Sequence, residues 1–254
     1  MGQGTEKRIV AGHVAPFAVW VGVILLLQAY ETVGDCPRWL IPWAYGVKSA
    51  VCAGLFVWLR PWRVYPALQV AHLPQAVGLG VAVAAVWILP EMPWVGRIAP
   101  GFQEFYNRWL IMMPGALPDY FNPDFFPALP PGHRSLAFSP EEAGWPLTLA
   151  KLAGSACVIA VIEEFFFRGF FYRWLRKGAF WTVPLTAFDA QAFWTVVAVF
   201  GLEHDRWFAG MLAGLAYGWL AMRTGDVWAA AVAHGLTNLL LGVYVIASRQ
   251  YGFW

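Results

Sequence analysis

Apolar residues run along this chain in blocks close to the width of a membrane. A helix needs about 20 such residues to cross a bilayer, and seven segments approach that length. The first extends from about Val14 to Ala29, the second from Trp43 to Leu59, and the third from Pro74 to Leu89, where proline suits the first helical turn. A fourth opens at Ser139, with Pro140 behind it and Glu142 three residues on, a capping box that begins a helix. That helix is expected to kink at Pro146 and to run to about Lys177. The fifth covers about Ala190 to His204, the sixth Trp207 to Met222, and the seventh Val227 to Ile246. Gly210, Gly214 and Gly218 form a doubled GxxxG row on the sixth, which lets another helix approach closely. The pattern predicts an all-α, polytopic membrane helix bundle of about 7–8 transmembrane helices.

Residues 90 to 146 break this pattern. Eight prolines between positions 93 and 131, interleaved with aromatics, forbid a long helix there. A structured extramembrane or interfacial loop is expected instead, with one short amphipathic helix between Gly101 and Met113. The chain thus divides into N-terminal helices (1–92), a proline- and aromatic-rich loop (93–144), and a C-terminal helical core (145–254). No internal repeat is evident.

Composition agrees with a membrane protein. Hydrophobic residues make up 59% of the chain and charged residues 13%, against about 25% charged in soluble domains. The lipid bilayer is therefore a partner, and a net charge of +2 argues against nucleic acid. Lys7 and Arg8, Arg60 and Arg63, then Arg173, Arg176 and Lys177 fall on one side if every segment spans, which predicts a cytoplasmic N-terminus. Lys48, inside the second segment, can snorkel to an interface. Cys36, Cys52 and Cys157 have no paired or metal-type spacing and read as small buried apolar residues.

Chemistry enters where charge interrupts the apolar blocks. Glu163 and Glu164 sit between Ile162 and Phe165, at a depth where an ionisable group costs at least about 2.5–3.5 kcal/mol. Glu164 and Arg168, four apart, share a helix face and can pair, whereas Glu163 projects about 100° away and is free to act. His204 ends the fifth segment. His234 and Asn238, again four apart, lie in the middle of the seventh. Together these residues form the inventory of a hydrolytic site. Zinc held by Glu163, His204 and His234 is an alternative, although no HExxH is present and a site without cofactor is favoured. A transporter or proton relay using the same glutamates is the rival from another class, against which the unlike halves of the chain count.

Three stretches then carry a resemblance. Glu163-Glu164 through Arg168 fits EExxxR, Phe200 through His204 fits FxxxH, and His234 through Asn238 fits HxxxN. In this order they resemble the CAAX prenyl endopeptidase and bacteriocin-processing (CPBP, or Abi) family of intramembrane proteases, over about residues 145–247. The N-terminal spans and loop resemble bacterial CAAX-protease-related proteins that accompany exosortase systems. The resemblance implies an endopeptidase cutting near the C-terminus of a membrane-associated protein or peptide, lipid-modified or not, in a bacterial inner membrane. It implies that Glu163 and His204 activate water, His234 and Asn238 hold the oxyanion, and Glu164, Arg168 and Phe200 support them.

Overall fold

The structure, a computed structural model, describes residues 3–34, 36–111 and 135–254. All seven apolar segments are helical, and no β-strand occurs among the described residues. In chain order the helices are α1 (Gln3–Val33), α2 (Leu40–Leu59), α3 (Leu73–Ile88), α4 (Pro93–Ile98), α5 (Pro100–Trp109), α6 (Pro140–Ala143), α7 (Trp145–Arg176), α8 (Ala190–Leu202), α9 (Trp207–Thr224) and α10 (Val227–Ser248). Five of them, α1, α2, α3, α7 and α10, are long and apolar enough to cross a membrane. The 13 residues of α8 are apolar but short. This is a polytopic all-α membrane bundle, and the protein is an integral membrane protein.

Its exterior is apolar. Leu25, Leu26, Val57, Trp58 and Trp194 all stand more than half exposed, which lipid tolerates and water would not. The polar groups turn inward, where backbone and side-chain partners must satisfy them.

The short helix expected near residue 101 is α5. Most of the proline-rich stretch, residues 112–134, lies outside the described residues. The Ser139 cap forms as the sequence indicates, its hydroxyl accepting from the Glu142 amide at 3.2 Å. The break after it falls earlier than expected. Gly144 adopts φ +76°, which ends α6 after one turn, so Pro146 opens α7 instead of kinking it. Lys48 does not snorkel: it is 5% exposed and turned inward onto Trp20. Of the cysteines only Cys52 is buried; Cys36 is half-buried and Cys157 exposed.

α7 is not uniform. Residues Gly154–Ile159 and Phe165–Phe171 are π-helical, with one α-helical turn, Ala160–Glu164, between them. Such wide turns insert residues into the ladder and rotate the side chains that follow, often at functional sites. Here they bracket the two glutamates and turn both into the bundle, where Glu163 is 8% exposed and Glu164 fully enclosed.

α10 is clamped between α3 and α7. A Cβ on Gly80 of α3 would meet the Ala233 carbonyl oxygen at 2.6 Å, and one on Gly235 would meet that of Ala156 at 2.6 Å. Only glycine lets these backbones touch. The glycine row of α9 faces α8 in the same way, Gly214 against Phe200 and Gly218 against Phe193. Asp226 caps α10 by accepting from the Trp228 amide at 2.9 Å, and its other oxygen takes His72 at 3.0 Å. These contacts fix α7, α8, α9 and α10 around one polar centre.

Candidate active site

Glu164 is the anchor of that centre. Its Oε1 accepts from Arg168 at 3.0 Å and from His234 Nδ1 at 3.0 Å. Arg168 also donates to the Gly214 carbonyl at 2.8 Å and lies 4.5 Å over the Phe200 ring. One guanidinium therefore ties α7 to α8 and α9. Because Glu164 only accepts when ionised, His234 must carry its proton on Nδ1, and this directs Nε2 to the other glutamate. Glu163 Oε2 lies 3.6 Å from that Nε2.

The His234 ring is held on both faces. Tyr217 of α9 stacks on it at 4.8 Å between centroids and 18° between planes, and Phe200 meets it edge-on at 5.7 Å. Tyr217 donates to Thr237 at 2.7 Å, and Thr237 donates to the Gly80 carbonyl at 2.9 Å. The imidazole is consequently fixed in plane, rotation and tautomer.

His204 approaches from the end of α8. Its Nδ1 donates to the Phe200 carbonyl at 2.7 Å, leaving the Nε2 lone pair free. Phe200 and Trp87 flank the ring at 4.9 and 5.4 Å. Burial holds its imidazole well below the ordinary histidine range, at about 4, against the raising effect of the bond to Phe200. It is neutral at physiological pH and able to take a proton. One donor atom each from Glu163, Glu203 and His204 lies within 4.8 Å of the others. A single water could bridge such a pair at about 2.8 Å to each.

Asn238 lies one turn beyond His234. Its Nδ2 donates to the Ser155 carbonyl at 2.9 Å, in the first wide turn of α7. One amide hydrogen is committed there, and the second stays available. Glu163, Glu164, Arg168, Phe200, His204 and His234 thus gather around one centre, with Asn238 on its α7 side. Three contributors escaped the sequence reading. Glu203 lies inside the FxxxH stretch as an intervening residue, and its charge at the end of an apolar block was the available signal. Tyr217 and Thr237 look like ordinary packing residues in sequence and acquire a role only through α9–α10 contact.

Residues 145–240 match the family described as Type II CAAX prenyl endopeptidase Rce1-like. The matched segment contains α7 through most of α10, and with them every residue of the centre just described. No curated protein and no solved structure matches the chain.

Proposed function

We propose that this chain, whose residues 145–240 match the Rce1-like family of Type II CAAX prenyl endopeptidases, hydrolyses a peptide bond near the C-terminus of a membrane-associated protein, with Glu163 as the general base. One observation carries this reading. Glu163, enclosed in an apolar bundle, has its carboxylate beside imidazoles from two other helices, His234 at 3.6 Å and His204 within 4.8 Å.

A water held between Glu163 and the His204 Nε2 lone pair loses its proton to this pair as it attacks the scissile carbonyl. Negative charge then grows on the carbonyl oxygen. The free Asn238 amide hydrogen is one donor for it, and His234 becomes the second as Glu163, 3.6 Å from Nε2, hands on the proton taken from water; donors fixed in a dry site are each worth about 3–4 kcal/mol. Glu164 holds His234 by Nδ1 and thereby aims Nε2. Arg168 pairs with Glu164 at 3.0 Å and balances its charge, so the second glutamate serves to hold His234. Collapse of the tetrahedral intermediate returns the proton to the departing amine from Glu163 or His204.

The test is genetic and chemical together. A deletion strain is complemented with the wild type or with Glu163→Gln, and the membrane proteome is compared for uncleaved C-termini. The expected result is a set of termini trimmed only by the wild type, with both proteins inserted in equal amount. Identical termini in the two strains would refute the assignment of Glu163. Proton or solute flux lost in Glu163→Gln vesicles would instead favour a relay.

A second reading draws on the same cluster. Zinc could take Glu163, Glu203 and His204 as three ligands with water in the fourth position. Glu203 would then take the place of His234, whose ring nitrogens do not fall within that group of donor atoms. Activity that survives 1,10-phenanthroline supports the metal-free route, and loss restored by zinc supports the other. The loop charges support a cytoplasmic N-terminus, which labelling of a cysteine introduced near Lys7 from either side of the membrane would test.

A further inference from the structure

Two lysines turn into the bundle without a carboxylate in salt-bridge contact among the described residues. Lys48 of α2 is 5% exposed, and its Nζ stands 3.9 Å from the centroid of the Trp20 ring and 4.9 Å from that of Tyr45. Lys151 of α7 is half-buried, with Nζ 4.2 Å from the Tyr45 centroid and 5.0 Å from that of Phe138. Neither ammonium pairs with a carboxylate or donates to an oxygen among the described residues. Ring faces attract a cation but do not replace its hydration, and two like charges against one ring repel. The Tyr45 hydroxyl between them is enclosed and makes no hydrogen bond of good geometry, although Ser49 and Ser155 are near. Two cations flank the Tyr45 ring, neither in contact with a carboxylate of the described residues, and the acid whose charge reaches Lys48 and Tyr45 is Glu163 of the catalytic centre.

This aromatic recess adjoins the active site. α7 presses on α2 at Gly154, where a Cβ would meet Ser49 Oγ at 2.6 Å and the Tyr45 ring at 2.8 Å. The next residue, Ser155, accepts the Asn238 amide. Tyr45 and Asn238 therefore touch successive residues of one turn. Lys151 sits four residues before Ser155, about 6 Å along a helix axis, a span that two extended peptide residues cover.

We propose that Lys48 and Lys151, with the Tyr45 hydroxyl, bind the C-terminal carboxylate of the peptide being cut. The inference rests on the peptidase reading and assigns it a substrate end. A terminal carboxylate held by two ammonium groups sets the scissile bond a fixed few residues inward, so the enzyme measures from the chain end. An internal peptide segment or an amidated end gives neither ammonium a contacting anion and binds poorly.

The probe is N-dodecanoyl-Leu-Leu as the free acid and as its carboxamide, with Kd measured by thermophoresis on the full chain in neutral detergent. The acid should bind roughly tenfold tighter, as charged hydrogen bonds usually provide. Lys48→Met and Lys151→Met should each reduce that preference, and the pair should abolish it. Glu163→Gln should keep it while losing hydrolysis, which separates failure of this site from failure of the catalytic assignment. Equal binding of acid and amide by the wild type would overturn the proposal without any variant. So would a preference that survives both single substitutions. Displacement of the acid by phosphatidylglycerol but not by phosphatidylcholine in nanodiscs, lost in Lys48→Met, would reassign the pair to a lipid phosphate and equally overturn it.

Discussion

Replacing Arg168 by Met tests the arrangement at its most connected point. The guanidinium is 3% exposed and Glu164 is fully enclosed, so the substitution leaves a carboxylate with no compensating charge in an apolar setting. It also removes the bond to the Gly214 carbonyl and the contact with Phe200. Breaking a buried pair by deleting one partner costs about 3–5 kcal/mol. For a chain of this size that corresponds to a fall in Tm of roughly 6–20 °C. Glu164→Gln alone should cost less, because the amide oxygen still accepts from Arg168 or His234 and Glu163 remains as an acid interacting with the buried guanidinium. The double variant Glu164→Gln/Arg168→Met should recover part of the Arg168→Met loss, since no buried charge is then left unpaired. The assay is thermal unfolding in detergent, followed by intrinsic tryptophan fluorescence. Additive losses in the double variant, or an Arg168→Met protein within about 1 kcal/mol of wild type by the same measure, would refute the coupling.

Four further outcomes follow from the site and its frame. Asn238→Ala should lower peptidase turnover about 10²–10³-fold with Tm nearly unchanged, measured by cleavage of the terminus identified in the proteome comparison. Gly235→Ala places a methyl 2.6 Å from the Ala156 carbonyl and should cost about 1–3 kcal/mol of stability, together with activity, by parting α10 from α7. Asp226→Ala removes the cap of α10 and the His72 contact and should lower stability by about 1–2 kcal/mol, read as a fall in Tm. Burial holds the His204 imidazole at about 4 in the folded chain, below the ordinary value near 6.5. Between those two pH values the unfolded chain binds a proton that the folded chain refuses, so stability should fall as pH drops from about 6.5 toward 4. His204→Gln should flatten that part of the curve, and an unchanged slope would count against a neutral, half-buried imidazole.

Much of this protein was written in its apolar blocks. Their length and spacing determined that seven helices form and that their outer faces are greasy, because a chain with so few charges cannot cover itself for water. Local chemistry set several boundaries as well: Ser139 caps where its hydroxyl can reach the Glu142 amide, and Glu164 finds Arg168 four residues on even through a wide turn. The motif spacings named six of the residues that gather at the centre. Tertiary structure decided the rest. Whether Gly144 or Pro146 breaks the chain depends on a positive φ that no local pattern reports. Whether Lys48 reaches an interface or an aromatic recess depends on Trp20 and Tyr45, which only the packing of α1 and α2 brings to it. The pairing of His234 with both glutamates, and the arrival of Glu203, Tyr217 and Thr237 beside them, require α7, α8, α9 and α10 to meet at glycines that permit backbone contact. Sequence periodicity states which face of a helix is polar; it does not state which polar faces will share one enclosure, because that choice is made by long-range packing.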